Sequence, residues 1–288
     1  MARHPLLRSA FAAALFASPI PLLANTTTDA LISYNPGDES QGISAYQNGG
    51  APAIGLPARI NAANDPTNVT PFTPAYDPGF LTLINAGGQI TLHFAQTVSA
   101  NTGAQIGIFS SIGLVASSSS SGSNVITSTG PATFSDATSA AIISVSDTGA
   151  PGSFVALNNG NPLLLNLPTN AYLDSSLSYD SQFQFVNAQN GSAPADFFKP
   201  FNAPTGLASF SDLSYAQTLA LLNGSAGGNW ISLDGLNLPA TINYIQLSVP
   251  TGDQLLLDGI TATPEPTTLT LLSLSSLLFL KKTRRPTR

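Results

Sequence analysis

From Gly88 to Phe94 the chain alternates, with Ile90, Leu92 and Phe94 on one face and His93 among the polar positions on the other. That period of two marks a strand with one side buried. Ile242 to Val249 repeats it, placing Ile245, Leu247 and Val249 together. Ala30 to Tyr34, Ala140 to Ser146, Ser153 to Leu157, Gln182 to Val186 and Gln254 to Ala262 are further strand candidates. The 24 Gly and 22 Pro fall mostly between these runs, where they punctuate turns.

Helical spacing is rare. Its best example is Ser211 to Leu222, where Leu213, Ala216, Ala220 and Leu219 could form one stripe that stops at Asn223-Gly224. Ser117 to Ser123 reads as a flexible loop between strands. The proline-rich stretch Asn61 to Asp77 reads as a long irregular connection. Many short strands with polar turns predict an all-β protein, a single sandwich or barrel.

The two ends depart from this pattern. Arg3 and Arg8 precede a short apolar stretch, Ser9 to Ala17, which Pro19 and Pro21 break before Leu22-Leu23-Ala24. These are the parts of a secretory signal peptide, expected at 1–24, with Sec-type export machinery as its partner. At the other end Pro264-Glu265-Pro266 is followed by the uncharged run Thr267 to Leu280 and then by Lys281, Lys282, Arg284, Arg285 and Arg288. The prolines hold the chain extended. The Leu-rich run can enter a bilayer as a helix, and the cations stay on the cytoplasmic side and set its orientation. The run has 14 residues, about 21 Å of helix at 1.5 Å per residue, against a bilayer core of roughly 30 Å. That length suits a transient handle better than a permanent span.

This three-part tail resembles the PEP-CTERM sorting signal of Gram-negative envelope proteins. The resemblance implies an exosortase-like processing enzyme acting at Pro264, Glu265 and Pro266, passage through the inner membrane, and delivery to the cell surface or extracellular matrix. The organisation expected is therefore a signal peptide (1–24), a secreted β domain (25–263) and a sorting tail (264–288). The tail divides into motif 264–266, membrane segment 267–280 and basic end 281–288. Two stretches of the body, Pro71 to Pro78 with Ala86-Gly87-Gly88, and Gly227-Gly228-Asn229-Trp230 with Tyr244 to Val249, are similar to a jelly-roll sandwich of the discoidin-like or carbohydrate-binding type.

Charge narrows the partners of the body. The chain has 9 Lys+Arg and 15 Asp+Glu; seven of the cations and Glu265 lie in the terminal segments. The body keeps Arg59 and Lys199 against 14 acids, a net charge of −12. Such a balance repels phosphate backbones and excludes nucleic acid. Charged residues are 8% of the whole chain, against about 25% in ordinary soluble domains, so Ser, Thr, Asn and Gln must meet the solvent. There is no cysteine, hence no disulfide despite export.

Candidate chemistry is sparse. A Ser-His-Asp set needs a histidine base, and the body has only His93, on the polar side of a strand. One histidine and no cysteine argue against a structural or catalytic zinc site. Asp38, Asp65, Asp77, Asp212, Asp234 and Asp258 are spaced singly beside turn residues and mark no carboxylate pair for glycoside hydrolysis. Calcium stays open as a cofactor, with Asp38-Glu39, or Asn64-Asp65 with Asn68, as its oxygen-rich loops. Trp230, the sole tryptophan, is expected to pack against the core. The expectation is a non-enzymatic envelope or matrix protein associated with exopolysaccharide. Two alternatives stay open: a carbohydrate-binding module that uses calcium, and an unprocessed tail-anchored protein.

Overall fold

A computed structural model describes residues 24–41, 44–64, 67–100, 103–118, 126–132, 139–173, 178–179, 185–186 and 193–263. The expected signal peptide up to residue 23, the expected sorting tail and most of the serine run lie outside them. Four long strands carry most of the framework: β1 (Thr26–Asn35), β3 (Gln89–Ser99), β13 (Thr241–Ser248) and β14 (Leu255–Thr263). Between β1 and β3 lies β2 (Thr82–Ile84). After β3 come β4 (Gln105–Ser110), β5 (Gly113–Ser118), β6 (Ile126–Ala132) and β7 (Ala140–Ser146). The short strands are β8 (Val155–Ala156), β9 (Leu163–Leu164), β10 (Ser178–Tyr179), β11 (Phe185–Val186) and β12 (Asn229–Ser232).

Ten strands form one curled antiparallel sheet in the order β12-β4-β14-β1-β3-β13-β7-β8, with β2 also on β14 and β9 also on β7. β5–β6 and β10–β11 pair as separate two-stranded ribbons. β1 joins the two halves of the large sheet. Thr26 and Thr27 pair with Ala262 and Thr261 of β14, and from Thr28 onward the strand pairs with β3.

Both halves contribute to one apolar core. Ile90, Leu92 and Phe94 of β3, Ile245 and Leu247 of β13, and Ile143 and Val145 of β7 come from one half. Ile106 and Ile108 of β4, and Leu255, Leu257, Ile260 and Ala262 of β14, come from the other. All of these are at most 1% exposed, so each of the larger side chains, Ala262 excepted, contributes about 1.5–3 kcal/mol of apolar burial.

The two halves differ on their outer side. The β4/β14/β12 half is covered by the chain from 193 to 228. There Phe109 is fully buried and meets the rings of Phe197 and Trp230 edge-on, at 5.2 and 6.1 Å between centroids. Thr261 donates to the Phe197 carbonyl at 2.8 Å. Gly107 leaves room for Trp230, since a Cβ there would stand 2.8 Å from the indole. The indole is half-buried, as expected, and its Nε1–H donates to Gly227 O at 2.9 Å. The outer side of β3 and β13 instead alternates with solvent, which is why those strands are the cleanest period-two runs in the sequence.

The helix differs from its sequence expectation. α1 spans Tyr215–Leu222, not Ser211 to Leu222, because Ser214 and Gln217 form a reciprocal capping box that fixes its first turn. Asp212, with φ of 59°, lies outside it. The buried stripe is Tyr215, Thr218 and Leu222, whereas Ala216 and Ala220 are exposed. Tyr215 and Leu222 remove far more apolar area from water than two alanines would. Asn223 ends the helix in the left-handed conformation. Of Gln182 to Val186 only Phe185–Val186 is described, as β11, and Ser117 and Ser118 extend β5.

Candidate functional site

The outward face of β1, β3, β13 and β7 carries a grid of polar side chains. Register aligns three rows across four strands: Ala30, His93, Tyr244 and Ser146; Ser33, Thr91, Gln246 and Ser144; Asn35, Gln89, Ser248 and Ile142. Cross-strand bonds tie neighbours within a row. Gln89 Nε2 donates to Ser248 Oγ at 2.8 Å, and Gln246 Nε2 donates to Thr91 Oγ1 at 3.0 Å. Thr97 Oγ1 donates to Asn243 Oδ1 at 2.7 Å, and Asn243 Nδ2 donates to the Asp147 carbonyl at 2.8 Å.

His93 is where the ladder becomes irregular. β1 slips register between Thr28 and Ala30, and again between Leu31 and Ser33. β13 slips against β3 between Ile242 and Tyr244. Bulges re-aim side chains and are over-represented beside functional sites. Here the first turns Asp29 toward β3, where its Oδ1 lies 2.7 Å from His93 Nδ1. The second leaves Ile32 at 51% exposure on an otherwise polar face. The Tyr244 ring meets the imidazole edge-on, with centroids 5.0 Å apart, and packs on Gly149, where a Cβ would come within about 3.0 Å of it. The His93 and Asp29 side chains remain 34% and 46% exposed. Among the described residues no Ser or Thr hydroxyl is hydrogen-bonded to His93.

The two cations of the body are engaged elsewhere. The Arg59 guanidinium donates to Ala171 O at 2.6 Å and Ala195 O at 3.2 Å, and lies 4.6 Å from the centre of the Phe197 ring. Burial lowers its pKa, opposed by Tyr172 and Asp196. Lys199 Nζ donates to Asn223 O at the helix C-cap. Among the described residues no Lys or Arg forms an ion pair with a carboxylate; the one acidic pairing is Asp29 with His93.

Three of the described aspartates, Asp38, Asp77 and Asp196, serve turns. Asp77 Oδ1 accepts from Gly79 N at 2.7 Å and Asp196 Oδ1 from Phe198 N at 2.7 Å. Asp38 Oδ1 accepts from the hydroxyl and the amide of Ser40, bonds that hold its pKa below the ordinary value. Asp258 is different. It is 3% exposed, at the register shift between Leu257 and Gly259, and accepts from Ala58 N at 2.9 Å. Burial pushes its pKa up to about 7, against the lowering effect of that bond.

Of the calcium candidates, Asn64 is exposed, Asn68 bridges to Ile60, and Asp65 lies outside the described residues. Among the described residues no group of three or more His, Cys, Asp or Glu could hold a metal ion, and no helix is long and apolar enough to cross a membrane. Pro264, Glu265, Pro266, Lys281, Lys282, Arg284, Arg285 and Arg288 all lie outside the described residues. Sequence reasoning singled out His93 but not its neighbours. Asp29 stands 64 residues away in the chain, and nothing local to it or to Tyr244 signals the cluster.

Comparison with protein families, curated proteins and solved structures gives no match to this chain.

Proposed function

We propose that this is an exported, non-enzymatic β protein of the cell envelope or extracellular matrix. In this reading Sec-type machinery carries it across the inner membrane, and an exosortase-like enzyme recognises Pro264, Glu265 and Pro266 and removes the tail. The body, a jelly-roll-like sandwich, then joins the exopolysaccharide.

The observation that carries the proposal is the order of Pro264-Glu265-Pro266, the uncharged run Thr267 to Leu280 and the basic end Lys281 to Arg288. β1 starts at Thr26, and the described part of β14 reaches Thr263. Pro264 has no N–H to continue a ladder. Because Thr26 pairs with Ala262, the first residue of β1 and the last of β14 lie at the same end of the sheet.

Intact mass of the protein from the medium and envelope of the producing organism tests this. A C-terminus near the Pro-Glu-Pro motif is expected. A mass that retains Arg288 would instead make the protein an unprocessed, tail-anchored one. A second reading, a carbohydrate-binding module, is favoured by the polar grid around His93. Calcium would enter that reading as an accessory ion.

A further inference from the structure

We propose that the outward face of β1, β3, β13 and β7 is a binding surface for an uncharged polysaccharide. The inference deepens the matrix reading and rests on it.

Three features of the face select that class. Its accessible polar side chains are the amides of Asn35, Gln89 and Gln246 and the hydroxyls of Ser33, Ser144 and Ser248, whereas Thr91 and Ser146 are buried, and cross-strand bonds fix two of the amides before any ligand arrives. Gln89 is held to Ser248 and Gln246 to Thr91. Fixed side chains lose little rotamer freedom on binding, a cost that otherwise runs to about 0.5–1.5 kcal/mol each. A primary amide has two N–H donors and an acceptor oxygen, so one cross-strand bond leaves capacity for a sugar hydroxyl. With strands about 4.8 Å apart and same-face residues about 6.8 Å apart, the grid covers roughly 14 by 14 Å. A polymer lying on it meets several groups at once.

The second feature is apolar. Ile32, 51% exposed at its bulge, half-buried Ile142 and the Tyr244 ring stand within the polar rows. Such spots suit the C–H faces of sugar rings, which an ion-binding surface would not need.

Charge is the third. Asp29 and, when protonated, His93 are paired on this face, and Asp147 is exposed just past the end of β7 beside it. Arg59 and Lys199 are committed to backbone carbonyls away from it, and the body is net −12. An anionic polymer therefore meets repulsion with no cation to offset it. A neutral one meets none.

The test uses the full chain in mild detergent and affinity electrophoresis. The polymers are neutral and acidic fractions of the producing organism's own exopolysaccharide, separated by anion exchange, each with calcium or with EDTA. The neutral fraction should retard the protein equally with calcium and with EDTA. The double variant Gln246→Ala/Ile32→Ser should bind about tenfold more weakly, since an amide contact and an apolar contact together are worth about 1.4 kcal/mol or more. Circular dichroism and an unchanged melting temperature check that the variant folds, and Asn202→Ala, exposed in the segment that covers the other half of the sheet, should bind as the wild type does. The proposal is overturned if the neutral fraction gives no retardation, if retardation survives the double variant, or if only the acidic fraction with calcium binds. None of these results alters the intact mass, so a failure here is distinct from a failure of the sorting reading.

Discussion

Asp258→Asn should remove a pH dependence from the stability of the fold. Asp258 is 3% exposed and accepts one recorded hydrogen bond, from Ala58 N. Burial raises its pKa from 3.8 to about 7. The folded chain thus keeps a proton that the unfolded chain releases, and the sign follows. Where the folded state binds more protons, stability falls as pH rises. The carboxyl costs nothing well below pH 3.8, and its penalty grows up to pH 7 and is complete above it. A shift of about three units corresponds to on the order of 4 kcal/mol, of which roughly 2.5 kcal/mol develops between pH 5 and pH 8. Asparagine keeps an acceptor for Ala58 N and cannot ionise. Its spare N–H donors add a cost of about 1–3 kcal/mol that does not vary with pH. Urea unfolding of both proteins at pH 5 and pH 8 separates the two effects. The difference in unfolding free energy, variant minus wild type, should rise by about 2.5 kcal/mol across that interval. Parallel curves would refute the reasoning, because a carboxylate that tolerates its charge in the fold carries no such slope.

Three other substitutions probe the covered half of the sheet. Gly107→Val would drive its side chain into Trp230, where even a Cβ stands at 2.8 Å; a loss of about 1–3 kcal/mol is expected, with a red shift in the emission of this sole tryptophan. Arg59→Lys keeps the charge but not the fork that reaches both Ala171 O and Ala195 O; denaturant titration should show a loss of about 2 kcal/mol. Ser214→Ala removes the acceptor for Gln217 N in the capping box, which should lower stability by about 1 kcal/mol in the same titration.

Legibility in the sequence followed how each strand is covered. β3 and β13 have one dry and one wet face, so Ile90-Leu92-Phe94 and Ile245-Leu247-Val249 spell out their inward sides. The outward rows were equally readable as polar, and His93 stood out among them. What could not be read is how those rows come together. Asp29 and Ile32 interrupt the alternation of β1 because they are bulge residues, and a bulge is set by the partner strand. The helix shows the limit of periodicity over short spans. Leu213, Ala216 and Ala220 make as good a stripe on paper as Tyr215, Thr218 and Leu222, and the choice falls to the capping box and to area buried against Phe201 and Phe210. Phe109 is buried against a segment more than 80 residues downstream, beginning with Ala195 and Phe197, which no local pattern announces.

The pairing of Thr26 and Thr27 with Ala262 and Thr261 also has a mechanical meaning. Pulling the two chain ends apart would open this junction like a zipper, one pair at a time and at low force. A pull at Thr263 alone, along the strand, meets a different geometry. β14 lies inside the sheet, bonded to β4 from Leu257 to Thr263 and to β1 and β2 on its other side. Those bonds would share the load in shear and must yield together. A body held by its C-terminal end therefore resists drag far better than one stretched between both ends.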